Sequence, residues 1–92
     1  MTIFIPTPLR VYAGGGTVEV NAATIAEALD VLTQTHPELR KHLFTDEGKL
    51  RAFVNLYLND EDVRYLPEKE QTAVSAADTL SIIPSIAGGA SR

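Results

Sequence analysis

Few side chains in this sequence carry chemistry, and their spacing assembles none of the common sites. There is no cysteine, so the chain has no thiolate nucleophile and no disulfide framework. Its two histidines, His36 and His42, lie on either side of Pro37, which breaks any regular helix that would align them. Two histidines without a cysteine are weak evidence for zinc. Ser75 and Ser81 have no histidine and aspartate in view to complete a triad. Gly14-Gly15-Gly16 is not followed by Lys-Ser/Thr and opens a strand rather than a helix, so it reads as a turn, not a phosphate cradle. Asp60, Glu61 and Asp62 crowd one turn, but a lone turn cannot supply the roughly six to eight oxygens that calcium takes. They read as a solvated turn, with contact to a basic partner patch as the alternative. What remains is "IIPSIAGGASR", residues 82–92. An apolar run meets Gly88-Gly89, and three small or polar residues follow. By composition alone this is an ordinary frayed end.

The totals narrow the classes. A chain of 92 residues supports one core, enough for one sheet on one or two helices. Apolar residues make up 45% and charged residues 22%, as in soluble globular proteins. No apolar stretch approaches the roughly 18 residues of a membrane span. The start, "MTIFIPTPLR", lacks the basic and long apolar regions of a signal peptide, so a cytoplasmic protein is expected. Twelve acidic against eight basic residues give a formal charge of −4. That speaks against nucleic acid, which selects a basic stripe, and suits either solubility or docking on a basic or apolar protein surface.

The elements that must hold the chain end follow from periodicity. "IFIPTPLRVY" (3–12) is rich in β-branched and aromatic residues and predicts a strand, edge or bulged where Pro6 and Pro8 remove donors. Glycines at 14–16 turn it into a second strand over 18–20, a β-hairpin. Residues 24–37 predict the main helix. Thr24 and Glu27 form a capping box, and Ile25, Ala28, Leu29 and Leu32 share one stripe. A further short helical turn fits 38–44. Over 52–58, Val54, Leu56 and Leu58 point one way and Phe53 and Tyr57 the other. Residues 59–62 are a polar turn, 63–66 a short strand, and 67–78 a loop with one helical turn. The last strand spans 79–87, with Pro84 limiting its pairing. The order β-β-α-β-β-β is an α+β fold with the helix on one sheet face. The expected division is a domain over 1–87 and a flexible tail over 88–92.

In that setting "IPTPLR", the glycines at 14–16, "GKLRAFVNLYLNDEDVR" (48–64) and "DTLSIIPSIAGG" (78–89) resemble the ubiquitin-like MoaD/ThiS family of sulfur carriers. The likeness runs over residues 1–89. Within the family it is strongest to the mycobacterial-type carriers of cysteine biosynthesis. The resemblance implies a ubiquitin-like β-grasp, with a mixed sheet packed on one main helix. It implies a protein cosubstrate rather than an enzyme, with no bound cofactor. An E1-like partner would use ATP to adenylate the Gly89 carboxylate, and sulfur would replace AMP to give a thiocarboxylate. A cysteine synthase or other sulfur-accepting enzyme would consume it. Gly88 and Gly89 suit that use because residues without a Cβ can enter a narrow channel, while the folded body supplies affinity and makes the docked reaction effectively intramolecular.

The sequence departs from the mature family pattern at Ala90-Ser91-Arg92, which keep the Gly89 carbonyl in a peptide bond. They read either as a propeptide cut between Gly89 and Ala90 by a JAMM-type metalloprotease, the preferred reading, or as a cloning remnant. Phe53, Tyr57 and Ile83 are expected on the sheet face away from the helix. Together with Pro84 and Ile86 they form the expected partner-binding set, because exposed large apolar residues mark partner sites. Three other functions stay open. The acceptor is then molybdopterin or thiamine rather than cysteine; or the chain is a protein modifier conjugated through Gly89; or it is an interaction module with an inert tail.

Overall fold

The computed structural model describes residues 1–84. Its first strand, β1, is Thr2–Phe4, and it ends two residues before Pro6. Thr7–Leu9 form a 3₁₀ turn that runs into α1, Arg10–Ala13. The expected strand over 3–12 is therefore mostly helical. Proline disrupts a ladder but fits the first turn of a helix, where no N–H is needed, and Pro8 sits there. Gly14 closes α1 at φ 76°, a left-handed value that favours glycine over any residue with a Cβ. The connection still delivers a hairpin. β2, Thr17–Glu19, returns antiparallel to β1 with Ile3 opposite Val18. β1 is neither the edge nor the bulged strand expected at the prolines: it pairs with β2 on one side and β5 on the other, and Pro6 and Pro8 fall beyond its end.

α2, Ile25–Thr35, carries the expected stripe. Ile25, Ala28, Leu29 and Leu32 are buried. The Thr24 hydroxyl accepts from Glu27 N–H at 3.1 Å. The Glu27 carboxylate reaches back one residue further than a capping box requires, accepting from Ala23 N–H at 2.6 Å. α3, Glu38–Leu43, follows directly and buries Leu39 and Leu43. β3 is Val54–Leu58. Asn59, at φ 57°, and Asp60 turn it into β4, Glu61–Asp62. β4 thus falls inside the expected polar turn, while Val63–Tyr65, expected as a strand, form a 3₁₀ turn capped by Asp62. A third 3₁₀ turn, Lys69–Gln71, precedes β5, Thr79–Pro84.

The sheet order is β2-β1-β5-β3-β4. β5 lies at its centre, parallel to β1 and antiparallel to β3, so the sheet is mixed. Ile3, Leu80, Ile82, Val54, Leu56 and Leu58 face inward and join the α2 stripe in one buried cluster. Among the described residues no helix is long and apolar enough to cross a membrane.

Candidate functional site

β5 is the strand that carries the chain toward Gly88-Gly89. Those glycines, Ala90 and Ile86 lie outside the described residues; the site that the structure describes is the body at Pro84 and its surroundings. Five consecutive pairs tie β5 to β3, from Leu58↔Leu80 to Val54↔Pro84. β1 supports its other edge through Thr2↔Thr79, Ile3↔Leu80 and Phe4↔Ser81. The centre of the sheet therefore extends to within five residues of Gly89.

Alternation fixes what the outer face shows. Leu80 and Ile82 are buried, while Ile83 is 45% exposed. Ser81 stands between Tyr57 on β3 and Phe4 on β1. A small side chain at that rung leaves a shallow depression bordered by Phe4, Pro6, Ser81, Ile83 and Pro84. Phe4 is 48% exposed, and it belongs to this face although the expected set omitted it. The signal was present: Pro6 stops the strand, and Phe4 alternates with the buried Ile3 and Ile5.

Of the expected set, the structure brings Tyr57, Ile83 and Pro84 to this face or its rim. Phe53 differs. It precedes β3 in a turn closed by Val54 N–H donating to Arg51 carbonyl at 3.0 Å. Strand alternation does not extend to it, and it borders a separate apolar cleft with Leu9, Leu43 and Pro84. Pro84 borders both depressions, one on each side of the chain's exit.

The far end of the same face is charged. Asp62, opposite Tyr57, accepts two parallel bonds from Arg64, the shorter at 2.7 Å from Nη2. Those bonds, and one from the Arg64 backbone N–H, hold the Asp62 carboxyl below its ordinary range and raise the Arg64 guanidinium. The acidic turn is thus partly self-neutralised. Asp78 is lowered as well, first by the Ser75 N–H and then by the Asn59 amide, and so pins the β3–β4 turn to the start of β5. His42 stacks on Tyr12, with ring centroids 4.5 Å apart. Among the described residues no three potential metal ligands gather.

A mixed five-stranded sheet of this order, clasping one main helix and presenting its central strand's outlet between two apolar depressions, defines a ubiquitin-like β-grasp protein. The chain belongs to the ThiS family, whose model matches residues 3–89. It is 36% identical over 92 residues to the sulfur carrier protein CysO of Mycobacterium tuberculosis, covering 97% of this chain and 98% of that one. It is 38% identical over 80 residues to small archaeal modifier protein 1 of Haloferax volcanii, covering 84% and 86%. Among solved structures, a chain of the Amycolatopsis orientalis BexX/CysO complex superimposes with a TM-score of 0.82 at 42% identity, covering 96% of this chain and 98% of that one. The relatives are small carriers and modifiers rather than catalysts.

Proposed function

We propose that this chain is a sulfur carrier that works as a thiocarboxylate at Gly89, with cysteine biosynthesis as its use. The family match carries this reading: it spans the folded body and ends at the second glycine, residue 89. An E1-like enzyme binds the outer sheet face and takes the tail into its channel. The Gly89 carboxylate oxygen attacks the α-phosphorus of ATP and pyrophosphate leaves. A sulfur nucleophile then attacks the acyl carbon; the C–O bond to AMP breaks and a C–S bond forms. No step is a redox change at carbon. The cosubstrate contributes position rather than catalysis: docking makes the acyl transfer intramolecular, and a cysteine synthase accepts the sulfur. Residues 90–92 must first be removed between Gly89 and Ala90, a task for a JAMM-type metalloprotease.

The Haloferax relative favours a second reading, conjugation of Gly89 to lysines of target proteins. Both readings need the same activated acyl group and differ in what attacks it.

The test is mass spectrometry after incubation with an activating enzyme, ATP and a sulfur source. A chain ending at Gly89 gains the mass of one oxygen-to-sulfur exchange, and the full 92-residue chain does not. Exchange on the uncut chain, or none on the cut one, defeats the proposal.

A further inference from the structure

The cleft on the inner side of the exit is distinct from the outer sheet face. Its walls are Pro8 and Leu9 from the turn before α1, Leu43 from α3, and Phe53, Val54 and Pro84 around the last rung of β3 and β5. Its volume is about 280 Å³. That lies below the roughly 300–1,000 Å³ of small-molecule sites and suits one or two side chains rather than a cofactor. Phe53, 42% exposed, stands at its border.

The charge around it runs against that of the chain. In a protein of net charge −4, the cleft is bordered by Lys41 and Arg51 and, among the described residues, by no carboxylate. The Arg51 Nε donates to the Lys41 carbonyl at 3.0 Å, which fixes the arginine stem along α3. Among the described residues no carboxylate lies within ion-pair distance of its guanidinium. Lys41 meets Glu38 at 3.7 Å in a pair whose side chains are 70% and 63% exposed; such a pair is weak and is readily exchanged for another carboxylate. His42 Nε2, buried in the same wall, has no hydrogen-bond partner among the described residues.

We infer that this cleft is a second docking surface, filled by an apolar side chain on an acidic segment of the partner enzyme. An apolar anchor fills the space lined by Leu9, Leu43 and Phe53, and flanking carboxylates meet Lys41 and Arg51. This arrangement, a desolvated anchor with charges at the rim, is how small interfaces gain both affinity and register. Pro84 belongs to this cleft and to the outer depression alike, so an enzyme using both grips β5 from two sides at Pro84. The inference rests on the carrier reading for the partner's identity, but the recognition chemistry is testable without it.

The first experiment titrates the isotope-labelled full chain with the peptide acetyl-Asp-Glu-Leu-Phe-Glu-Asp-amide and with its analogue bearing lysine at all four acidic positions, followed by amide NMR. The proposal expects shifts at Leu9, Lys41, His42, Arg51 and Phe53, affinity for the acidic peptide at least about fivefold above the lysine analogue, and weakening with salt. Lys41→Glu with Arg51→Glu abolishes them, and Lys41→Arg with Arg51→Lys keeps them. No shifts at the cleft, or equal shifts with both peptides, overturn it. Cleft signals that move on dilution assign the cleft to a second copy. Cleft signals that move with Ile86→Ser in the absence of peptide assign it to the chain's own end. Either result also overturns it. The second experiment measures adenylation of the chain ending at Gly89. The double charge reversal is expected to raise KM about tenfold with kcat unchanged. An unchanged KM with normal wild-type activation overturns the docking role alone. Absent wild-type activation defeats the carrier reading and leaves the peptide result to decide the cleft.

Discussion

Val54 faces Pro84 in the last rung of the β3–β5 ladder. Proline offers no N–H to that rung, so the firmness of the exit depends on the residues behind it, Leu80 and Ile82, both buried at the sheet centre. Leu80→Ala empties a fully buried site and is expected to destabilise the fold by about 2–5 kcal/mol. Urea unfolding measures this; a change below about 1 kcal/mol contradicts the central role of β5.

The outer face behaves oppositely. Ile83 and Phe4 are both nearly half exposed, so each stands to lose only part of a buried side chain's contribution, about 1 kcal/mol. Ile83→Asp and Phe4→Ser are therefore expected to lower stability by much less than Leu80→Ala and to raise the KM of adenylation about tenfold, which is about 1.4 kcal/mol of binding. Loss of stability with normal activation contradicts a docking role for this face.

The start of α2 gives a local test. Thr24→Ala removes the acceptor for Glu27 N–H and is expected to cost about 1 kcal/mol. Thr24→Ser keeps the oxygen and most of the stability. Equal loss in both variants contradicts the cap.

Acid sensitivity follows from Asp62 and Asp78. Both carboxyls are held below their ordinary range. Their contribution to stability is complete above the unfolded carboxylate range and is lost as pH falls through the lower folded values. Stability is expected to decline below about pH 4. Asp62→Asn and Asp78→Asn each make the decline shallower, and thermal unfolding between about pH 2 and pH 7 reads it. A slope unchanged by either substitution contradicts the assignment.

The sequence made legible what depends on local periodicity. Ile25, Ala28, Leu29 and Leu32 mark α2, and the alternation at Val54, Leu56 and Leu58 marks β3 and its inner face. It misled where two local signals competed. Ile3, Ile5, Val11 and Tyr12 spell a strand, but Pro8 and Gly14 bracket a helix, and the helix won because proline cannot donate to a ladder yet fits a helix start. Alternation places Phe53 on the outer face only if it runs one residue beyond the true start of β3 at Val54. The cleft was invisible for a different reason. Leu9, Lys41, Arg51 and Pro84 are far apart in the chain, and only the closing of α3 against the ends of β3 and β5 gathers them.

The most direct measurement is the intact mass of the protein isolated from the cell that makes it. The account predicts a chain ending at Gly89, with part of the population carrying sulfur in place of one carboxyl oxygen and no lysine-linked adducts on other proteins. A population that always retains Ala90-Ser91-Arg92 and never carries sulfur contradicts it.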